Sequence, residues 1–240
     1  MKSLQKITVV SASQFNGNVQ SGYLDPTLSF KPSIYDLDIV CFANGTLILT
    51  DRGAVPVEAL REGDLVVTRD HGTQPISWIG SRRLSAEKLR ANARLLPIRV
   101  GQGALGAGVP SQDLLVSPQH RLLVRSHIAR RMFGADEVLV AAKHLCALDG
   151  IEVAADVGQI EYFHLLFDRH EVIIANDTEA ESLYTGPEAL KSVGPAAREE
   201  ILTIFPELMD RDFAPARPLV AGRQGRRLAA RHLQNSRAVQ

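Results

Sequence analysis

The 240-residue chain lacks the features that mark several specialised classes of protein. It has two cysteines, Cys41 and Cys146, which is too few for the disulfide framework of a small secreted domain. Lys plus Arg balance Asp plus Glu at 27 each, so the overall charge gives no reason to expect a specific nucleic-acid partner. No apolar run approaches the length of a membrane span, and the N-terminal run Ile7–Val10 is too short for a secretory signal. The default expectation is a soluble, cytoplasmic protein, with export possible only by a non-classical route.

Three regions differ in their residue patterns. Residues 1–40 are polar and rich in turn signals, and we interpret them as a leader segment. Residues 41–182 carry many short apolar runs separated by Gly, Asp and Pro, a pattern typical of a compact all-β domain. The predicted strands are 46–50, 65–68, 76–79, 96–100, 114–116, 121–124, 137–140, 162–167 and 171–175.

The third region, residues 183–240, is predicted to be a short helical appendage followed by a basic tail. Helix-like stretches begin near Pro187 and Pro195, each with its proline where a first helical turn tolerates it. Residues 211–240 contain seven arginines and one acid, Asp212. A basic tail can bind polyanions, but it is more often a solvated, poorly ordered end or an edge packed on acidic neighbours.

The sequence around Cys41 offers a nucleophile. A cysteine thiol is easily activated, because a lowered pKa or a nearby base is sufficient. Beside a strained amide it could attack the carbonyl carbon of Val40 and convert the Val40–Cys41 peptide into a thioester. A lone buried cysteine is more often a small core residue. The motif that Cys41 opens, Cys-Phe-Ala-Asn-Gly-Thr-Leu-Ile, gives this cysteine a context.

Two further blocks follow the Cys41 block. One, Val-Ser-Pro-Gln-His-Arg-Leu-Leu-Val, places Ser117 three residues before His120; the other contains His164, His170 and Asn176. Together the three blocks resemble the cysteine, Thr-x-x-His and closing-hairpin blocks of the hedgehog/intein (Hint) family, particularly its bacterial single-cleavage branch. The resemblance covers most of residues 41–182 and implies a Hint-type, horseshoe-like β-fold.

The resemblance also implies catalytic roles for four residues. Cys41 is then the nucleophile, while Ser117 and His120 polarise and protonate the scissile amide. An amide nitrogen is a poor leaving group until it gains a proton, and histidine is well suited to give one near neutral pH. His164 lies near a position where inteins often carry an acid, and it would orient or deprotonate the incoming group. A strand histidine bonded to the backbone is an equally good interpretation of His164.

The expected reaction is therefore an N-to-S acyl shift with cleavage of Val40–Cys41 in a single turnover. The substrate is the chain's own N-terminal segment, the acceptor is water or another nucleophile, and neither an organic cofactor nor a metal is expected. Inteins end in His-Asn before Cys, Ser or Thr, whereas this chain has Glu181-Ser182 at the corresponding distance from Asn176. We therefore expect cleavage without splicing.

Other interpretations of the sequence stay open. The domain could be a catalytically silent β-scaffold acting as an interaction or secretion-associated module, or a cysteine hydrolase acting in trans through Cys41 and His120. The string Gly101-Gln-Gly-Ala-Leu-Gly106 fits a dinucleotide fingerprint, but no helix signal follows it. A zinc site built from His144, Cys146, His164 and His170 fits no standard ligand spacing.

Overall fold

Two antiparallel sheets dominate the computed structural model, which describes residues 40–184 and 214–240. The strands of the first sheet are β1 (Phe42–Ala43), β6 (Trp78–Leu84), β7 (Ile98–Val100), β8 (Leu114–Val116), β11 (Ile151–Val153) and β12 (Ile160–Leu166). Their order across the sheet is β11-β7-β8-β1-β12-β6. The very short β1 therefore lies in the middle of this sheet, between β8 and β12.

The second sheet has eight strands. They are β2 (Leu47–Thr50), β3 (Gly53–Pro56), β4 (Leu65–Thr68), β5 (Gly72–Pro75), β9 (Arg121–Arg125), β10 (Glu137–Ala141), β13 (Val172–Ala175) and β14 (Thr178–Glu181). The order is β10-β9-β14-β13-β2-β4-β5, with β3 paired to β2. The turn from β8 to β9 is one of the connections between the two sheets.

Three α-helices lie outside the sheets among the described residues: α1 (Ala86–Ala91), α2 (His127–Phe133) and α3 (Gly222–Gln234). Short 3₁₀ turns occupy Val57–Ala59, Ala93–Leu95 and Ala142–His144. The side chain of Ser126 caps α2 by accepting from the N–H of Ala129, and Gly134 ends it in the left-handed conformation (φ 71°) that glycine adopts without strain. None of the helices in the described part of the chain is long and apolar enough to cross a membrane.

The apolar runs of β9 and β10 explain how the end of the chain is held. Three successive residues of β9 are buried, which an antiparallel strand with one solvated face would not allow. One face of the strand joins the main core through Leu122 and Val124. Leu123 points the other way and packs with Leu139 against Ala216 and Leu219. Residues 214–240, here called the C-terminal arm, therefore cover the second face of this part of the sheet.

The C-terminal arm is tied to the sheet by backbone and ionic contacts. Leu139 N–H donates to Pro218 O and Leu139 O accepts from Val220 N–H, both at 3.0 Å. The Arg217 guanidinium contacts Asp70 at 2.8 Å and Glu137 at 2.7 Å. Helix α3 buries its own inward face, which consists of Gly225, Leu228, Ala229 and His232.

The all-β fold class predicted from the sequence is confirmed, including a small helix near the C-terminus. The predicted strand at 76–79 instead begins at Trp78 and runs to Leu84, because Ile76 and Ser77 belong to the connection from β5. The helix-like stretches predicted from Pro187 and Pro195 lie outside the described residues. Of the two alternatives for the basic tail, its described part matches an edge packed on acidic neighbours, since Arg217 contacts Asp70 and Glu137.

Candidate functional site

Cys41 directly precedes β1, a central strand of the first sheet. The next residue, Phe42, pairs with Val116 of β8 on one side and with Phe163 of β12 on the other. Ser117 directly follows Val116, and His164 directly follows Phe163. The register of these three strands therefore brings both residues to Cys41, which is buried with 6% of its surface exposed.

Ser117 and His120 hold the backbone of Cys41. The Cys41 N–H donates to Ser117 Oγ at 3.0 Å, and the Ser117 N–H donates to Cys41 O, also at 3.0 Å. His120 Nδ1 lies 2.9 Å from the same carbonyl oxygen. Pro118 interrupts the strand because it has no N–H, and the turn that results is closed by His120 N–H donating to Ser117 O at 3.0 Å. The hydroxyl and the imidazole thereby reach the same residue.

His164 contacts both partners of the expected reaction. Its Nδ1 lies 2.9 Å from Val40 O, the carbonyl oxygen of the bond expected to break. Its Nε2 lies 3.7 Å from Cys41 Sγ. A carbonyl oxygen only accepts hydrogen bonds, so Nδ1 of the neutral ring must carry the hydrogen. The lone pair of Nε2 is then directed at the thiol and can take its proton.

Burial keeps all three titratable groups uncharged at neutral pH. Desolvation raises the pKa of the Cys41 thiol well above its ordinary value, and the hydrogen bond with Ser117 and the charge of Arg82 offset this only in part. Desolvation also lowers the pKa of His120 and of His164 to about 4 each. The thiol therefore needs a base to ionise it, and a neutral His164 is able to act as one.

The structure brings together all four residues singled out from the sequence: Cys41, Ser117, His120 and His164. The contacts differ in one respect from the roles implied by the resemblance. Ser117 bonds the Cys41 nitrogen, and the contact of His120 is with the Cys41 carbonyl oxygen. One ring nitrogen of His164 lies at hydrogen-bond distance from a backbone carbonyl and the other faces the Cys41 thiol, while its action on an incoming group stays a prediction.

Strand β6 contributes residues that sequence reasoning did not assign to the site. The Trp78 indole stacks on the His164 imidazole, with ring centroids 6.5 Å apart and planes within 17°. Gly80 pairs directly with His164 across the strands. A Cβ at Gly80 would lie 2.1 Å from the Trp78 ring, so only glycine leaves room for this stack. In the sequence the two residues stand close together, in the string Trp78-Ile79-Gly80.

The remaining residues of the closing hairpin have structural contacts. Asn176 forms the β13–β14 turn with φ 47°, a left-handed conformation that asparagine tolerates. Its side chain accepts from Leu47 N–H at 2.8 Å and donates to Asp113 O at 3.1 Å. In the turn between β4 and β5, Asp70 contacts Arg217, and His71 Nδ1 lies 2.9 Å from the buried Glu171 carboxylate. Among the described residues, no group of His, Cys, Asp and Glu side chains is arranged to hold a metal ion.

Comparison with known proteins identifies a family through its sequence model. The sequence model of the Hint domain family matches residues 40–187. No curated protein is significantly similar to the chain in sequence. Three solved structures are similar: a bacterial intein-like domain from Clostridium thermocellum (15% identity, TM-score 0.37, covering 60% of this chain and 98% of that one); the Ssp DnaB mini-intein variant M86 (12%, 0.38, 60% and 95%); and the gp41-1 intein (11%, 0.35, 59% and 97%). Identities this low carry no residue roles across.

Proposed function

The chain belongs to the Hint domain family of self-processing domains, and on this premise we propose that it cleaves its own Val40–Cys41 bond through a thioester. In this proposal residues 1–40 are the released segment. The observation that carries it is the double contact of His164, whose two ring nitrogens address Val40 O and Cys41 Sγ. One imidazole can thus polarise the carbonyl that is attacked and accept the proton of the thiol that attacks it.

The first step is an N-to-S acyl shift. Cys41 Sγ bonds to the carbonyl carbon of Val40 while its proton passes to His164 Nε2, and the oxygen of Val40 is stabilised by His164 Nδ1–H. The bond from that carbon to Cys41 N then breaks, and the nitrogen leaves as an amine by taking a proton from His120, which is neutral at rest and is first protonated from solvent. One proton leaves sulfur and one reaches nitrogen, so His164 ends protonated and His120 neutral.

The second step opens the thioester. Water or another nucleophile adds to the acyl carbon, the C–S bond breaks, and the Cys41 thiolate regains a proton. The products are a segment ending at Val40 and a domain beginning at Cys41. Because the nucleophile is tethered to its target, placement alone can supply on the order of 7–11 kcal/mol of the barrier. Neither step needs a metal or an organic cofactor.

Glu181 and Ser182 support the absence of splicing. Splicing requires an asparagine that cyclises beside an assisting histidine, and neither side chain at these two positions can do so. Both residues are fully buried within the sheet end, with 0% of their surface exposed. We propose that this end of the domain serves structure and electrostatics, and that the reaction ends with the N-terminal cut.

Intact mass over time tests the proposal directly. The full chain with a C-terminal tag should yield a product ending at Val40 and one beginning at Cys41, faster with dithiothreitol, and hydroxylamine should give a Val40 hydroxamate. Cys41→Ala should stay whole, while the matched control Cys146→Ala should cleave like the parent. The fraction cleaved should not depend on protein concentration, which separates the reaction from hydrolysis in trans. A parent chain that stays whole under both reagents would falsify the proposal.

A specific observation favours one other candidate, a catalytically silent scaffold. The Cys41 thiol is buried and its pKa is raised, as expected of an inert core cysteine. In that case Cys41→Ala and His120→Ala would change neither the length nor the behaviour of the chain. The mass experiment therefore decides between the two candidates.

A further inference from the structure

One buried charged side chain lies beside the site and takes no part in the two steps described. The Glu181 side chain ends strand β14 and is completely buried. Burial alone would raise its pKa, but His170, Arg121 and His120 together hold the pKa below its ordinary value, so the carboxylate stays charged. A buried charge costs several kcal/mol of desolvation unless its partners compensate. Such a group therefore calls for a reason beyond packing.

The contacts of Glu181 lead directly to His120. One carboxylate oxygen accepts the Arg121 N–H at 2.8 Å, and the Arg121 guanidinium lies 3.1–3.2 Å from both oxygens. The other side of the same peptide group, His120 O, accepts the Ala142 N–H at 2.8 Å. The peptide that joins His120 to Arg121 is thus held on both sides. These two hydrogen bonds help to position the His120 ring beside Cys41.

His170 makes a third contact with the Glu181 carboxylate. His170 Nε2 lies 3.3 Å from Glu181 Oε2, and both side chains are fully buried. The Ala216 N–H of the C-terminal arm donates to His170 Nδ1 at 3.1 Å. Because Nδ1 accepts, the hydrogen of the neutral ring must be on Nε2, the nitrogen closest to the carboxylate. The arm therefore sets the tautomer that faces Glu181.

His120 needs such a neighbour for the proposed reaction. It must carry a positive charge when it protonates the Cys41 nitrogen, yet it is completely buried. Its Nε2 has no hydrogen-bond partner among the described residues. The titratable groups that act electrostatically on the ring are Glu181 from β14, the adjacent Arg121 at the start of β9 and His164 from β12. Of these three, only Glu181 favours the charged ring.

We propose that Glu181 is a positioning residue for the acyl shift: its carboxylate fixes the His120–Arg121 peptide and stabilises the imidazolium form of His120. This inference rests on the proposed cleavage at Val40–Cys41. Glu181 touches neither the thiol nor the scissile bond and acts only through His120. His170 Nε2 lies 3.3 Å from the carboxylate, and the Ala216 N–H binds the other nitrogen of that ring.

Two substitutions of opposite sign test the inference in the full-length chain, with the rate of thioester formation followed by mass in saturating hydroxylamine. Glu181→Gln keeps an oxygen for Arg121 N–H and removes the charge, so the rate should fall on the order of 10- to 100-fold. Arg121→Met keeps the N–H and removes the opposing charge, so the rate should rise even though Glu181 loses an ion-pair partner. A purely structural role predicts that both variants slow the reaction.

The matched control is Glu171→Gln. Glu171 is also buried, at 2% exposure, and is also paired to a histidine, His71, but its carboxylate has no contact with Arg121. It should lose stability without losing rate. A Glu181→Gln variant that folds and cleaves at the parental rate overturns the inference and leaves the proposed function standing. If Glu181→Gln does not fold, a slower Arg121→Met overturns it equally, and a parent chain that never cleaves removes both proposals.

Discussion

His120 and His164 stand on either side of Cys41 and are bound in nearly the same way. Each places Nδ1 2.9 Å from a backbone carbonyl, that of Cys41 for His120 and that of Val40 for His164. Burial lowers the pKa of both to about 4. The difference lies at Nε2, which faces the thiol in His164 and is buried without a hydrogen-bond partner among the described residues in His120. Two rings with similar backbone contacts are thus given different roles in the proposed reaction, base for His164 and acid for His120.

The largest effect should come from replacing each ring by asparagine, whose side-chain N–H can keep the bond to the carbonyl. Both His164→Asn and His120→Asn should slow thioester formation by roughly 10²- to 10⁴-fold, since each loses a proton-transfer group. Raising the pH should partly restore His164→Asn, because hydroxide can then ionise the thiol directly. His120→Asn should gain nothing, because its missing group is an acid. If both variants respond to pH alike, the division into base and acid is wrong.

A smaller effect should appear in the pH dependence of stability, measured by urea unfolding in a Cys41→Ala background. The His120 pKa falls from 6.5 to about 4 on folding, so between these values the unfolded chain binds a proton that the folded chain does not. Stability should therefore fall as the pH falls through this window, by about 3 kcal/mol for this residue. His120→Gln should lack this part of the decline.

The same measurement on His164 sharpens the contrast between the two rings. His164 is half-buried, so water can partly solvate its charged form, whereas His120 is fully buried. His164→Gln should therefore remove a smaller part of the acid-induced loss of stability. Equal contributions from the two histidines would contradict this difference in their surroundings.

The smallest effect is expected at the indole that stacks on one ring and not on the other. Trp78→Ala should slow thioester formation roughly fivefold, since an aromatic pair of this kind contributes about 1 kcal/mol. Trp78→Phe should retain most of the rate. Gly80→Ala should be worse than Trp78→Phe, because its Cβ would displace the indole. All three variants should leave the pH response assigned to His120 unchanged, and a change there would mean that the stack acts beyond His164.

The sequence was sufficient for the elements whose signals are local. Short runs of β-branched residues and leucine predicted most of the strands, because a strand's side-chain pattern is written within a few residues. The turn at Asn44-Gly45 is present, with Gly45 at φ 81°. The strand at 76–79 was misplaced because Ile76 is buried in a connection and not in a strand. Burial alone does not reveal whether a residue belongs to a strand or to the connection before it.

Contacts between distant residues were less accessible to sequence reasoning. The four site residues could be grouped through a family resemblance, but no spacing tells which atom of Cys41 each of them meets. Glu181 was noticed only as the absence of an intein's histidine, since its partner Arg121 lies far away in the sequence and its partner His170 is buried in the connection between β12 and β13. Nothing in the sequence indicated the contact made by the Ala216 N–H, because every residue except proline has the same backbone N–H.

The parallel bridge between Leu139 and Leu219 bears on how the protein behaves at high concentration. Strand β10 is the outermost strand on one side of the eight-stranded sheet, and after Glu137 its residues 138–141 are apolar, of the kind that recruits a second molecule by edge pairing. The C-terminal arm occupies both the N–H and the C=O of Leu139. Exposed arginines on the adjoining helix, among them Arg223 and Arg227, add repulsion between copies. The arm thus reduces the part of this sheet edge that is open to pairing with a second molecule.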